Sequence, residues 1–227
     1  MSFIENIINV LIRDQRYKII LEGLKNTLFI TTGGLIIGIT LGTITALIKI
    51  HPHKTWLGKS LKSIANLYTT VIRGTPVTAQ LLLIYFGIFA SVRSLNAVMV
   101  AIIVFGINSG AYVTEIIRGG ILSIDKGQLE AARSLGLSYS QSMKKVILPQ
   151  TVKVVLPSII NEFIALLKET SVAGFITVID LTNAFRLITS ATYDAFTPYL
   201  MMSIIYLLLV IIIASFAKRI EKRLKID

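Results

Sequence analysis

The sequence predicts an all-α integral membrane protein, a helical bundle with five transmembrane helices. The first observation is composition: 54% of the 227 residues are hydrophobic and 15% are charged, with a mean hydropathy of +0.75. A soluble domain carries about a quarter charged residues, and a disordered chain is less hydrophobic still. The second observation is a set of charge-free runs of 19 to 23 residues. About 20 apolar residues are enough for a helix to cross a bilayer.

The order of these runs along the chain defines the predicted elements of one transmembrane domain, 1–227. The predicted spans are about 22–48, 71–91, 95–117, 154–180 and 196–218. The fourth differs from the others because Glu162, Lys168 and Glu169 interrupt it. Three charges facing lipid near the bilayer centre would cost about 9 kcal/mol. This span must therefore face protein or water.

The basic residues predict how the chain is oriented. The connections after the first and third spans, together with the C-terminal tail, hold 15 lysine and arginine residues. Because basic loops stay in the cytoplasm, the N-terminus is predicted outside and the C-terminus in the cytoplasm. Apolar residues before the first span have helical spacing, which predicts a helix on the outer membrane surface. These residues are Ile4, Ile7, Ile8, Leu11 and Ile12. A cleaved signal peptide is not expected, since no basic start or cleavage pattern is present.

Several functional classes are excluded by what the sequence lacks. Without cysteine there is no disulfide or thiol chemistry, and the two histidines, His51 and His53, do not make a metal site. A net charge of +11 would suggest nucleic acid, but the membrane spans exclude that partner. No phosphate-binding loop is present, so this chain does not hydrolyse ATP. No set of nucleophile, base and orienting group indicates an enzyme.

Glycines recur at every fourth position of the first span, at Gly34, Gly38 and Gly42. A stripe of small residues lets a second helix backbone approach closely within a membrane. Glycine is also common in membrane helices in general. Both interpretations remain open at this point.

The connection 119–150 has too many helix signals to be a plain linker. Asp125 and Gln128 have the spacing of a capping box, which predicts the start of a short helix. Gly136 then falls where a left-handed C-terminal cap is expected. The first half of this connection is therefore predicted to be a helix ended by a glycine bend.

A second helix is predicted to follow at once. Ser138 and Gln141 form another capping box, and Leu148-Pro149 is predicted to end the helix. Two capped helices joined by a bend suit docking into a groove on another protein. The alternative is a helix that lies on the membrane surface without a partner.

The residues of this connection carry a resemblance to a known family. They are Glu130-Ala131-Ala132, Gly136, Val146 and Leu148-Pro149. Their spacing resembles the EAA loop of ATP-binding cassette (ABC) importer permeases, with Val146 where isoleucine is usual. Other stretches resemble the polar amino acid uptake branch of that family. They are Arg73-Gly74-Thr75-Pro76 with Gln80, Ala111-Tyr112 with Glu115 and Arg118-Gly119, and Asn161-Glu162 with Lys168-Glu169-Thr170-Ser171.

The resemblance implies a type I importer permease fold with a cytoplasmic coupling helix. It implies a dimeric core, formed with a second copy (a homodimer) or with a paralogue. Two ATPase subunits would dock on the EAA loops, and an extracytoplasmic solute-binding protein would deliver an amino acid. ATP and Mg would be bound by the ATPase subunits, with no cofactor in this chain. The residues implied in ATPase coupling are Glu130, Ala131, Ala132, Gly136, Leu148 and Pro149.

Polar side chains inside predicted spans are candidates for substrate binding, because such groups are expensive in lipid. The candidates are Glu115, Asn161, Glu162, Gln80 and Thr78. Glu115 could instead pair with Arg118, three residues on. Gln80 could make a hydrogen bond between helices. Lys168 and Glu169 are predicted to neutralise each other.

The balance of charges in and near the spans predicts the substrate class. Acidic residues outnumber basic ones there: Glu115, Glu162, Glu169 and Asp180 against Arg73 and Lys168. This balance favours cationic or zwitterionic amino acids, and of these we expect polar, basic ones, since an anion would be repelled. The alternative function is an ATP-independent channel or a secondary amino acid transporter subunit. Against this alternative, the doubly capped connection would have no purpose and the chain lacks the two repeats of such transporters.

Overall fold

The computed structural model describes residues 7–8, 10–52, 55–89 and 96–223, and every regular element within them is helical. The α-helices are α1 (Tyr17–Ile50), α2 (Trp56–Arg73), α3 (Val77–Leu82), α4 (Ala97–Ser123), α5 (Lys126–Ser134), α6 (Tyr139–Ser142), α7 (Leu148–Glu169), α8 (Leu181–Thr192) and α9 (Phe196–Arg223). A π-helical segment, Leu83–Ile88, extends α3, and another, Met143–Ile147, joins α6 to α7. Short 3₁₀ segments precede α1 (Arg13–Gln15) and extend α7 (Thr170–Ile176).

Four of these helical stretches are long and apolar enough to cross a membrane. They are Arg13–Ile50, Ala97–Ser123, Tyr139–Ile176 and Phe196–Arg223. A fifth candidate exists if the bent pair Trp56–Arg73 and Val77–Ile88 is counted as one span. The predicted all-α membrane bundle is confirmed.

The second predicted span differs most from the structure. A single helix was expected at about 71–91, but α2 and α3 meet at an angle of 106°. The break lies at Gly74-Thr75-Pro76, where Pro76 has an extended backbone (φ −63°, ψ 136°) and caps α3. Proline lacks a backbone N–H and disfavours a helical residue before it, so the helix stops here. Residues 90 and 91 lie outside the described residues.

The sequence prediction missed α2 because its charges lie on one face. Lys59 and Lys62 interrupt the apolar run, yet they are three residues apart and share a side of the helix. The opposite side carries exposed apolar residues such as Leu57, Ile64 and Leu67. A search for charge-free runs does not find an amphipathic helix of this kind.

The predicted helix end at Leu148-Pro149 is also wrong. The chain stays helical from Tyr139 to Ile176, through the π-helical segment and α7. Pro149 is tolerated because the α-helical hydrogen-bond pattern restarts at Leu148, which places the proline in the first turn. The N–H that proline lacks has no intrahelical partner at that position. The second helix of connection 119–150 is therefore continuous with the fourth span.

Helix α4 lies at the centre of the bundle and α9 at its edge. Within the most apolar stretch of 18 residues in each helix, 67% of the residues are buried in α4 but only 6% are buried in α9. The largest core cluster is built around Val100, Val104 and Phe105 of α4, with Ile30 of α1 and Leu166 of α7.

The glycine stripe of α1 packs directly on α4. A Cβ at Gly38 would lie 2.8 Å from the Ser109 Oγ, and one at Gly42 would lie 2.6 Å from the Val113 Cγ1. Such separations are shorter than van der Waals contact, so a side chain there would push the helices apart. Close helix packing is thus the correct interpretation of the stripe.

Helix α8 and the N-terminal residues close the end of the bundle that lies opposite α5. Val10 is buried there with Phe185 and Ile188. Of the predicted surface helix, Ile7, Ile8 and Leu11 are helical, while Ile4 lies outside the described residues.

At the same end of the bundle, the Asp194 carboxylate accepts a hydrogen bond from the Thr197 backbone N–H (3.2 Å). Hydrogen bonds from the Thr197 side chain and backbone hold the pKa of this carboxyl below its usual value.

Candidate functional site

A line of polar residues on α4 organises the interior of the bundle. Asn108 and Ser109 are both buried, and Glu115 follows about two turns later. Each is contacted by a polar side chain of a different helix, which fixes the neighbouring helices around α4. Three of the five predicted substrate residues take part in these contacts.

Gln80 is bound mainly to the broken helix that carries it. Its Nε2 donates to the Ile72 carbonyl (2.8 Å), the Thr75 carbonyl (3.1 Å) and the Thr75 Oγ1 (2.8 Å). Its Oε1 accepts a hydrogen bond from the Asn108 Nδ2 (3.0 Å). The interhelical bond considered for Gln80 is present. The side chain also satisfies carbonyls that the break at Pro76 leaves without helical partners.

Glu162 meets α4 one residue further along. The Ser109 Oγ donates to the Glu162 Oε1 at 2.8 Å. In the described residues no lysine or arginine nitrogen lies within 4.0 Å of Glu162 or Glu169. Lys168 and Glu169 therefore make no direct ion pair, since adjacent residues on a helix point in directions about 100° apart, and the expected neutralisation is limited to a longer-range attraction between the two charges. Two carboxyl groups of α7 are left without a bound cation.

Glu115 is held between two cations. The Lys49 Nζ lies 2.6 Å from its Oε1, and the Arg118 Nε lies 2.7 Å from its Oε2. Lys49 also donates to the Thr69 Oγ1 at 3.0 Å, which ties α1 and α2 to α4. The ion pair with Arg118 that the spacing suggested is present. The contact with Lys49, 66 residues away, was not predicted.

A polar cavity of about 510 Å³ lies beside this ion-pair network, between α1, α2 and α4. Its lining residues are Lys49, Asn66, Thr69, Thr70, Arg73, Gly74, Tyr112 and Glu115. The Arg73 guanidinium lies 5.4 Å from the centre of the Tyr112 ring, a cation–π distance. Sequence reasoning missed Asn66, Thr69 and Thr70 because α2 was taken as a loop. Their spacing of three and four residues was the available signal.

Of the five predicted substrate residues, Glu115 alone is among the lining residues of this cavity. Thr78 is half-buried in α3, and Asn161 is exposed on α7, next to Glu162. The structure thus brings Gln80, Glu162 and Glu115 to α4, but not Thr78 or Asn161. No group of three or more His, Asp or Glu side chains that could hold a metal ion occurs in the described ranges.

The connection after α4 forms the predicted helix, bend and helix. The Asp125 carboxylate caps α5 by accepting the Gly127 N–H at 2.6 Å. The reciprocal bond from Gln128 is not formed, so a single cap replaces the predicted capping box. Gly136 has φ +82°, the left-handed conformation expected of it. The Ser138–Gln141 capping box is present in both directions.

The tip of this connection is exposed. Leu135, next to Gly136, is 84% exposed. Glu130 and Ala131 are also exposed on α5, whereas Ala132 is buried. Pro149 is exposed and Leu148 half-buried at the start of α7. The apolar tip has no cover in the isolated chain.

Residues 38–226 match the family described as binding-protein-dependent transport system inner membrane component. The chain belongs to this permease family. One relative is the arginine transport system permease protein ArtQ of Bacillus subtilis (strain 168). It is 40% identical over 207 residues, which are 91% of this chain and 92% of that protein. Another is the putative glutamine transport system permease protein GlnP of Rickettsia prowazekii (strain Madrid E). It is 37% identical over 209 residues, 92% of this chain and 94% of that protein.

Solved structures agree with this assignment. A chain of a crystallised amino acid ABC transporter with histidines is 37% identical and superposes with a TM-score of 0.86, over 98% of this permease and 99% of that chain. A chain of the inward facing MetNI methionine ABC transporter shares the fold, with a TM-score of 0.80 at 18% identity, over 93% of this permease and 99% of that chain. The protein is an amino acid ABC transporter permease subunit of the bacterial inner membrane. It is a transport component and not an enzyme.

Proposed function

We propose that this permease is the transmembrane subunit of an ATP-driven importer of polar, basic amino acids. It works by alternating access, with the energy supplied by ATPase subunits that dock on residues 125–149. The observation that carries the proposal is the continuous helical rod Tyr139–Ile176. The first residues of this rod, 139–149, are the last part of the docking segment, and its second half carries Asn161, Glu162 and Glu169. A push on the segment therefore moves the candidate substrate residues directly.

The docking segment has the features of a surface that a partner covers. Leu135 is 84% exposed beside the bend at Gly136, and an exposed apolar residue at the tip of two short helices suits docking into an apolar groove on another protein. Glu130 and Ala131 are exposed along α5, and Leu148 and Pro149 lie within the rod, where α7 begins. The partners are two ATPase subunits that bind ATP and Mg. The family description, a binding-protein-dependent system, supports an extracytoplasmic solute-binding protein as a further partner.

A second permease subunit, a copy or a paralogue, completes the path. Asn161 and Lys168 are seven residues apart and are both exposed on one side of α7. Polar groups at membrane depth require water or protein beside them, so this side faces the path and the second subunit. The N-terminus lies outside and the C-terminus in the cytoplasm, which places the docking segment on the ATPase side.

The carboxyl groups of α7 that no cation contacts favour a cationic substrate. Glu115 is neutralised by Lys49 and Arg118, whereas Glu162 and Glu169 have no bound cation in the described residues. We assign Glu162 and Asn161 to the amino acid, with Glu115, Gln80 and Thr78 along the same route. An arginine permease among the relatives and the solved transporter with histidines support a basic substrate.

The test is uptake by proteoliposomes containing the permease, its ATPase and its binding protein. Arginine uptake should require internal ATP, and Glu162→Gln should lower it at least tenfold. The matched control is Glu22→Gln, the same change at an exposed residue of α1 before the polar line, which should retain uptake. Uptake without ATP would favour the channel or secondary transporter. Equal uptake by the Glu162 variant and the wild type would exclude Glu162 from the substrate path.

A further inference from the structure

An apolar groove lies between α1, α7 and α9, away from the polar line of α4. Its volume is about 410 Å³, and its nine lining residues are all hydrophobic. They include Leu35, Ile159, Phe163, Ile213, Phe216 and Ile220. Neither the substrate path nor the docking segment uses this groove.

The groove faces away from the polar side of α7. Successive residues of an α-helix are turned by about 100°, so Ile159 and Phe163, each two residues from Asn161, lie about 160° away from it. A helix that lines a wet path on one side presents its opposite side to lipid or protein. Since the Asn161 side needs water or a subunit, the groove side is the one left for lipid.

Cationic side chains flank the groove at the end where α9 finishes. On α9, Arg219 and Arg223 each follow a lining residue by three positions, namely Phe216 and Ile220. They therefore extend the same side of the helix by one turn. On α7, which runs antiparallel to α9, Lys153 precedes Ile160, another lining residue, by seven positions and lies on the same side.

These three cations are exposed and form no ion pair within 4.0 Å in the part of the chain that the structure describes. An apolar slot that ends in exposed cations matches the shape and charge of a phospholipid with an anionic headgroup. The slot would take an acyl chain, and the cations would take the phosphate.

We propose that this groove binds one anionic phospholipid of the leaflet on the α5 side of the bundle. The acyl chain lies along Phe163 and Phe216, and the headgroup phosphate contacts Lys153, Arg219 and Arg223. The bound lipid fills the space between α7 and α9, so it stabilises the outer side of the moving rod. This assignment concerns the lipid-facing side and does not depend on which amino acid is transported.

The test is lipid retention by the purified full-length chain, measured by native mass spectrometry. The probes are phosphatidylglycerol and phosphatidylcholine with the same acyl chains. The wild type should retain phosphatidylglycerol preferentially. Arg219→Gln with Arg223→Gln should lower that preference by about tenfold, since each basic residue near the membrane surface contributes to anionic lipid binding.

The matched control is Lys218→Gln with Lys222→Gln. It removes the same charge from the same two turns, but on the side of α9 away from the groove. The control should keep the preference, and an equal loss would show a general charge effect and overturn the proposal. Millimolar inorganic phosphate should not displace the lipid, and displacement would indicate a free-phosphate site in its place.

Two further measurements examine the apolar part of the groove. Ala217→Phe fills the groove and should reduce retention of both lipids, whereas unchanged retention would place the lipid elsewhere. The chain contains no cysteine, so Ile213→Cys introduces a single thiol. Efficient disulfide formation between two such chains in membranes would show that a second permease copy occupies the groove, and would overturn the lipid assignment.

Discussion

The sequence predicted only part of what the Gln80 side chain does in the structure. It stands in a predicted span after Arg73-Gly74-Thr75-Pro76, and the sequence offered substrate binding or an interhelical hydrogen bond. In the structure its amide reaches back to the Ile72 and Thr75 carbonyls and across to Asn108. A glutamine four residues after a helix-breaking proline is placed to satisfy the carbonyls before the break. That geometry follows from the bend angle, which the sequence does not fix.

We expect Gln80→Leu to destabilise the permease by about 1 to 3 kcal/mol, because the buried Asn108 amide and the part-buried Ile72 and Thr75 carbonyls lose their partner at once. Asn108→Leu removes one of these bonds and should cost less. Thermal unfolding of the purified chain in detergent measures both. Equal melting temperatures for the two variants would mean that the bonds to the broken helix contribute nothing.

Of the two ion pairs of Glu115, residue spacing along the sequence predicted one and could not predict the other. Arg118 is three residues away on the same helix, so helical geometry alone predicted the contact. Lys49 belongs to α1, and its 2.6 Å contact depends on how closely α1 packs against α4. Sequence spacing carries no information on that distance. For the same reason Ser109 was not foreseen as the partner of Glu162.

At the scale of elements, the packing of α1 on α4 depends on glycine. Gly106 and Gly110 of α4 oppose the α1 stripe, and a Cβ at Gly106 would lie 2.6 Å from the Ile37 Cβ. In lipid such backbone contact must replace the hydrophobic driving force that joins helices in water. Pattern reasoning found the stripe on α1, but it could not name the facing helix.

We predict that Gly42→Ala destabilises the permease by about 1 to 3 kcal/mol, the usual range for overpacking a tight contact. The added methyl group would meet Val113 and the Gly110 carbonyl oxygen. Gly119→Ala is the matched control, because it lies in α4 with no atom within 4 Å of a new Cβ. Melting temperatures in detergent compare the two. Loss of stability in the Gly119 variant alone would contradict the close α1–α4 contact.

At the scale of the whole molecule, length and apolarity predicted the helical membrane bundle, and cap spacing predicted the bend at Gly136. The same reasoning was wrong for proline, which ends a helix at one position and is tolerated within a helical stretch at another. Proline ends α2 at Pro76, yet Pro149 lies within the long rod, because π-helical residues precede it and the α-helix restarts at Leu148. Only the three-dimensional structure distinguishes these cases, and it shows that the second capped helix is continuous with the fourth span.

The proposed docking of the ATPase on this segment leads to a prediction about coupling. Gly136 adopts φ +82° with no atom within 4 Å of a new Cβ, so conformation and not space decides which residues fit. Asparagine tolerates the left-handed region, whereas β-branched residues are strained there. Gly136→Asn should therefore retain transport, and Gly136→Val should lower amino acid uptake per ATP hydrolysed severalfold. Both variants should insert into membranes normally, since the bend lies outside the spans.

Uptake and ATP hydrolysis measured in the same proteoliposomes give the required ratio. If the valine variant kept the wild-type ratio, the bend would not transmit force, and the helical rod would be only a structural connection. If the asparagine variant failed as badly as the valine one, the glycine would be needed for close approach of the ATPase and not for its left-handed backbone. The expected order, wild type and asparagine above valine, follows only when the bend must hold its shape while the rod moves.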